Sequence, residues 1–100
     1  MATLLNTGAL AQVQMLGTPS CGEWVTETRK NSATSIAFGF WLTGYLSGIA
    51  YGSGKDVLKD RPDREGLLLW IENYCQKNPL SKVNEAAQEL ARELLKKSKP

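Results

Sequence analysis

Residues 36–51 contain no charged side chain, and this stretch constrains the fold of the chain more than any other feature. As an α-helix, these sixteen residues would span about 24 Å, less than the hydrocarbon core of a bilayer at about 30 Å. Apolar residues within the stretch follow the spacing of one helical stripe. Its members are Phe38, Leu42, Tyr45 and Ile49. We therefore expect a buried central helix and not a membrane span.

A second face of the same segment carries small residues. Gly44 and Gly48 stand four positions apart, and each glycine inside a helix costs about 0.5–1 kcal/mol relative to alanine. That cost favours close approach of another backbone, either within the fold or across a homodimer. We predict a close-packing or dimer face made of Trp41, Gly44, Ser47 and Gly48, in which Trp41 is the best candidate for an exposed aromatic that contacts a partner.

Three further segments carry the signals of helices. Ser20 and Glu23 form an S-x-x-E capping box before the first. Asp63 and Ser81 are the predicted N-caps of the third and last helices. Pro79 ends the third, because the residue before a proline is pushed out of the helical region. The sequence predicts an all-α, four-helix bundle-like domain, with helices near 20–31, 34–52, 63–78 and 81–97.

A chain of 100 residues suits one compact domain, which we place at residues 20–97. Residues 1–19 are predicted to be an N-terminal tail or the remainder of an export segment, and residues 98–100 a second tail. The run Ala9-Leu10-Ala11 has the A-x-A form that signal peptidase cleaves, but no basic region precedes it. Two interpretations stay open: the natural start lies upstream, or the pattern is a coincidence.

The composition argues against most enzyme classes. The chain has no histidine, which removes the Ser/His and Cys/His nucleophile pairs and the zinc sites that need an imidazole. A phosphate-binding loop around Gly54-Lys55 would need glycine where Ile49 stands and Ser or Thr where Asp56 stands. The net charge of +2 does not indicate a nucleic-acid interface. We predict a non-catalytic protein without metal, cofactor, nucleic-acid partner or membrane span.

The two cysteines lie at predicted helix ends. Cys21 begins the first helix and Cys75 lies near the end of the third, so the two ends can meet in an antiparallel or crossing bundle. A bridge would close a loop of about 55 residues and stabilise the domain by about 4 kcal/mol in the chain-entropy model. The residues alone leave two alternatives open, a disulfide or two buried free thiols in a cytosolic protein.

Three segments of the chain resemble the HdeA-like group of small exported bacterial proteins. They are residues 20–25, residues 41–48 with the GYLSG run, and residues 73–80. The resemblance covers about residues 20–95. It implies an all-helical periplasmic fold, a disulfide between Cys21 and Cys75, and a homodimer.

The best-known members of that group are acid-stress chaperones, which loosen in strong acid and hold unfolding clients through exposed apolar surface. In this chain ten carboxylates lose their charge in acid while twelve Lys and Arg keep theirs, so the net charge of +2 would rise toward about +12. Self-repulsion would then favour opening. The predicted client surface is the stripe of Phe38, Leu42, Tyr45 and Ile49.

Two other functions remain open. A periplasmic inhibitor or immunity protein would bind one toxic effector at neutral pH through a preformed surface, and it needs no catalytic residue. An accessory subunit would show neither acid activation nor inhibition. In all three cases the expected partners are proteins.

Overall fold

The computed structural model describes residues 17–59 and 63–97, which contain four α-helices. Helix α1 spans Cys21–Lys30, α2 Ala33–Ser53, α3 Arg64–Lys77 and α4 Val83–Lys97. The small all-α bundle is confirmed, and each helix begins and ends within two residues of its predicted bounds. The run Ala9-Leu10-Ala11 and the predicted tail at 98–100 lie outside the described residues.

The first three helices begin at the polar caps that local hydrogen bonding favours. The Ser20 hydroxyl accepts the Glu23 amide at 3.0 Å, and the Glu23 carboxylate accepts the Ser20 amide at 2.9 Å, which confirms the capping box. Asp63 accepts the Gly66 amide at 2.7 Å and confirms the predicted cap of α3. Ser32 caps α2 through the amide of Ser35.

Helix α4 is capped differently from the prediction, and the assignment of Ser81 as its N-cap is wrong. The helix begins two residues later, at Val83. The amide of Val83 donates to the Pro19 carbonyl at 2.9 Å, and the amide of Asn84 donates to the Thr18 hydroxyl at 3.0 Å. Ser81 instead accepts the Cys21 amide through its backbone carbonyl at 2.9 Å. An extended segment before α1 thus supplies the first acceptors of α4.

Helix α2 lies against each of the other three helices. Its residues Leu42 and Leu46 are completely buried, and the remaining core comes from all four helices and the loop after α2. The members contributed by α3 and α4 recur at helical spacing, as the apolar stripes predicted. They are Leu67, Ile71, Cys75, Val83, Ala86, Ala87, Leu90, Ala91 and Leu94.

A disulfide joins Cys21 at the start of α1 to Cys75 near the end of α3, with their Cα atoms 5.0 Å apart. Both cysteines are almost completely buried, each 1% exposed. The pairing confirms the bridge and removes the alternative of two free thiols. Because the two residues are 54 positions apart, the bridge restricts more than half of the chain in the unfolded state.

Candidate functional site: the open face of helix α2

One face of α2 points away from α1, α3 and α4. Positions 36, 40, 44, 47, 48 and 51 are three or four residues apart in succession, apart from the adjacent pair at 47 and 48, so they lie along one side of the helix. All six are exposed. We call this surface the open face, defined by Ile36, Phe40, Gly44, Ser47, Gly48 and Tyr51.

The open face exposes large apolar side chains at both ends. Ile36 is 51% exposed, Phe40 73% and Tyr51 92%. Between them the surface is flat, because an ideal Cβ placed on Gly44 or Gly48 meets no atom within 4 Å among the residues that the structure describes. The open face therefore has a small-residue centre between larger apolar side chains at its two ends.

The hydroxyl groups of Thr43 and Ser47, near the centre of α2, are bonded within the helix. Ser47 donates to the Thr43 carbonyl at 2.8 Å, and Thr43 donates to the Gly39 carbonyl at 3.1 Å. Such bonds to the preceding turn remove the need for a partner that would accept these donors. Covering the centre of the open face with apolar surface therefore leaves the Ser47 hydroxyl bonded, which lowers the cost of such a contact.

The residues of the predicted close-packing or dimer face are exposed, except for Trp41, which is half-buried. Gly44, Ser47 and Gly48 are exposed, so the alternative that the two glycines admit another backbone within the described fold is wrong. A glycine that does have a close neighbour is Gly39, whose added Cβ would lie 2.9 Å from the Arg64 guanidinium carbon. Trp41 is half-buried at the edge of the open face and stacks on Tyr45, with ring centroids 5.7 Å apart.

The predicted client stripe lies on the opposite side of α2. Leu42 is buried, and Phe38, Tyr45 and Ile49 are half-buried and pack against the core. Phe38 stacks on the buried ring of Trp24 with centroids 5.5 Å apart. The four residues do share one face, as predicted, but that face is a packing surface of the folded domain.

Tyr45 has an altered acidity. Burial raises the pKa of its phenol, because the charged phenolate is poorly solvated there, while the Arg92 guanidinium of α4 acts in the opposite direction. Arg92 also pairs with Glu89 on its own helix. Tyr45 of α2 therefore lies close enough to α4 for the charge of Arg92 to act on its phenol.

Other surfaces of the described residues give weaker indications of a binding site. An open groove of about 420 Å³ is lined by Leu80, Lys82, Asn84, Glu85 and Gln88. The described residues contain no group of three or more carboxylate or cysteine side chains placed to hold a metal ion. Ion pairs in the described segments join exposed or half-buried side chains. One of them joins α1 to α3, with a guanidinium nitrogen of Arg29 3.9 Å from a carboxylate oxygen of Glu72.

Sequence reasoning found the glycines of the open face but missed its three large members, Ile36, Phe40 and Tyr51. The signal was available, since these positions share the helical phase of Gly44 and Gly48. An apolar residue without charged neighbours is, however, ordinarily assigned to a core.

None of the four helices in the described ranges combines the length and apolarity that crossing a membrane requires. Comparison of the chain with family models, with curated proteins and with solved structures gives no match. The resemblance to the HdeA-like group therefore stays a prediction.

Proposed function

We propose that this protein is a non-catalytic binding protein of the bacterial periplasm that contacts other proteins through the open face of α2. One observation carries the proposal: an uncharged helix face exposes Phe40 and Tyr51 at 73% and 92% in the folded domain. Aromatic side chains are enriched at protein–protein contacts relative to the rest of the surface. The surface needs no opening of the fold before it can bind.

The size of the face supports this role. A Phe or Tyr side chain buries about 150–250 Å² when it is fully covered, so Phe40 and Tyr51 together expose roughly 250–400 Å² of mostly apolar surface. A contiguous apolar patch of about 300–600 Å² is the largest that a typical monomer exposes, and it often marks a contact site. Ile36, which is 51% exposed, lies on the same face one turn before Phe40.

The proposed compartment rests on the disulfide and on the resemblance. Disulfides persist in oxidising compartments and are rare in the cytosol of most bacteria. The Cys21–Cys75 bridge spans 54 positions and is buried in the core, which suits a small domain that must stay folded after export. The HdeA-like segments around both cysteines support the periplasm.

A second candidate function is the acid-stress chaperone, favoured by the position of the apolar stripe. Phe38, Tyr45 and Ile49 pack against the core at neutral pH and would be uncovered by separation of α2 from α1 and α4. Loss of carboxylate charge, which would raise the net charge from +2 toward about +12, favours such opening through self-repulsion. The disulfide joins α1 to α3, so it would leave α2 free to move.

Site-specific photocrosslinking in the bacterial cell tests the first function. A photoreactive phenylalanine analogue at position 40 should give discrete crosslinked protein bands in cells grown at neutral pH. The matched control carries it at position 80, because Leu80 is 99% exposed but lies outside the open face. Equal crosslinking at both positions, or none at position 40, would contradict the proposal.

A client-aggregation assay separates the two functions. A chemically reduced, unfolded model protein is mixed with the purified chain at neutral pH and at about pH 2–3, where carboxylates are protonated. An acid chaperone suppresses aggregation only in acid, and the change Phe40→Ser leaves that activity largely intact. A response that is flat across pH removes the chaperone and leaves the preformed surface as the binding site.

A further inference from the structure

We propose that the protein partner of the open face is an acidic amphipathic helix, which lies along α2 with its apolar side on Phe40 and Tyr51 and places a carboxylate on the Arg64 guanidinium. The inference rests on the proposed function, because it names the chemistry of the partner at the same surface. Three observations carry it: the position of Arg64, the internal bonding of the α2 backbone and the length of the face.

The Arg64 guanidinium lies against the backbone of α2. An ideal Cβ built on Gly39 would be 2.9 Å from the guanidinium carbon and 3.2 Å from Nε, so the group occupies the space that a side chain at position 39 would take. Gly39 follows Ile36 by one turn and directly precedes Phe40, which places it beside both residues on the helix. Arg64 therefore sets a positive charge along the edge of the open face at its Ile36 and Phe40 end.

The charge of Arg64 is accessible to a partner. Its side chain is 45% exposed, and Nη1 lies 3.8 Å from a carboxylate oxygen of Glu65, which is 78% exposed. An exposed ion pair of this kind contributes little to stability, so a carboxylate of a partner can take the place of Glu65. Apolar surface beside a guanidinium is complementary to apolar surface that carries a carboxylate.

Helix α2 itself adds no charge that competes with Arg64. Residues 33–53 include neither an acidic nor a basic side chain. A lysine-rich partner would find no carboxylate on α2 and would meet the like charge of Arg64 at the edge. The sign of this charge thus favours an acidic partner over a basic one.

The bonding of the α2 backbone favours a partner that is itself helical. Amides and carbonyls within a helix are used by its own hydrogen bonds, and the Ser47 hydroxyl donates to the Thr43 carbonyl at 2.8 Å. An extended segment laid on this face would leave its backbone groups without partners, whereas a helix bonds its backbone internally. An added Cβ at Gly44 or Gly48 meets nothing within 4 Å in the described part of the chain, so a second helix can approach closely.

The length of the face sets the length of the partner helix. Ile36 and Tyr51 are 15 positions apart, which corresponds to about 22 Å along the axis of α2. A partner helix of about four turns covers this distance. Apolar side chains three and four positions apart on that helix would meet Ile36, Phe40 and Tyr51.

Binding of two synthetic peptides tests the sign of the charge. Both are alanine-based helices of about five turns with the same leucine stripe, and the positions beside the stripe carry Glu in one peptide and Lys in the other. Fluorescence anisotropy of the labelled peptides measures their dissociation constants with the oxidised protein. We expect the Glu peptide to bind about tenfold more tightly than the Lys peptide at low salt, with a smaller difference as salt screens the charges.

Two variants of equal net charge locate the effect on the surface. Arg64→Glu and Arg92→Glu each lower the net charge from +2 to 0, and the two arginine side chains are 45% and 48% exposed. Arg92 is the matched control because its charge acts on Tyr45, which packs against the core on the other side of α2. We expect Arg64→Glu to weaken binding of the Glu peptide about tenfold and Arg92→Glu to weaken it less than about twofold.

Gly39→Ala moves the guanidinium without changing the net charge. Its added Cβ would lie 2.9 Å from the guanidinium carbon, so the flexible end of the Arg64 side chain has to shift. We expect a loss of binding to the Glu peptide between those of the two arginine variants. Thermal unfolding shows which variants keep the fold, and the comparison of the two peptides on the wild type needs no variant.

Equal binding of the two peptides, tighter binding of the Lys peptide, no binding of either, or equal losses from Arg64→Glu and Arg92→Glu would overturn the acidic partner. Binding to phosphatidylglycerol vesicles or self-association through Phe40, without peptide binding, would overturn it in favour of a different occupant. If discrete crosslinks to another protein still form from position 40, the proposed function stands and only the chemistry of the partner is wrong. If those crosslinks are absent as well, both proposals fail.

Discussion

The hydroxyl of Thr18 accepts the backbone amide of Asn84 at 3.0 Å and donates to the side-chain carbonyl of Asn84 at 3.5 Å, across 66 positions of the chain. The segment before α1 therefore caps the last helix. Ser20 and Lys82 form an antiparallel bridge beside this contact. Backbone hydrogen bonds thus hold the segment before α1 to the start of α4, while the disulfide joins α1 to α3.

Removal of this cap should destabilise the domain. Thr18→Val keeps the size of the side chain but deletes the acceptor for the Asn84 amide, and loss of an N-cap costs about 1 kcal/mol. Urea unfolding should show the lower midpoint, and Thr18→Ser should recover most of the loss. Thr26→Val, at an exposed position of α1, is the control. Equal midpoints for Thr18→Val and the wild type would contradict the capping role.

Removal of the disulfide should lower the free energy of unfolding more than any other change proposed here. Cys21→Ala combined with Cys75→Ala deletes a bridge that spans 54 positions, and the chain-entropy model gives a loss of up to about 4 kcal/mol of unfolding free energy. The unfolding midpoint of the oxidised wild type, compared with that of the double variant, measures this loss. Reductant should act slowly on the folded protein, because both cysteines are 1% exposed. Rapid reduction without denaturant would contradict the buried position of the bridge.

Two glycines near the end of α2 should respond in opposite directions. Gly54 has φ of 71° and its amide donates to the Ala50 carbonyl at 3.0 Å, so Gly54→Ala forces a left-handed conformation that costs about 1–2 kcal/mol. Gly52 lies within the helix with open space around it, so Gly52→Ala should stabilise by about 0.5–1 kcal/mol. Thermal unfolding of the two variants measures both signs. If both variants shifted the unfolding temperature in the same direction, the left-handed conformation of Gly54 at the end of α2 would be contradicted.

Alkaline pH should weaken the fold through Tyr45. Burial raises the pKa of this phenol above its ordinary value of 10.0, so the folded domain holds the proton more tightly than the unfolded chain. The resulting stability is fully present below the unfolded pKa and is lost as the pH rises through the folded pKa. Phenolate absorbance should show a late-titrating tyrosine that Tyr45→Phe removes.

Arg92 supplies an internal control for that titration. Its guanidinium opposes the effect of burial on the pKa of Tyr45, so Arg92→Gln should raise this pKa further. A titration in which Arg92→Gln lowers the pKa of Tyr45 would show that the two side chains do not interact as the structure indicates.

Local signals predicted the helices well. Caps at Ser20 and Asp63 depend only on residues within three positions, and both were confirmed. The cap of α4 was missed because Thr18 lies 66 positions away, a separation that no local pattern reports. Ser81 was a reasonable local choice, but its carbonyl is used by the Cys21 amide.

At the candidate site, too, local patterns were predicted from the sequence and contacts between distant segments were not. The sequence identified α2 as the central helix and separated its apolar stripe from its glycine face, because both follow from the helical period. It did not show that Phe40 and Tyr51, on the glycine face, are 73% and 92% exposed among the described helices. Which side of a helix is covered depends on the positions of the other helices.

The four helices within residues 17–59 and 63–97, their approximate bounds and the absence of histidine were determined by the sequence alone, because propensity, capping and composition act locally. The tertiary structure decided that Cys21 and Cys75 are bonded, that Thr18 caps α4, and that α2 buries Leu42 while it exposes Phe40. These outcomes depend on contacts between segments far apart in the chain. Their geometry is set by the packing of all four helices together.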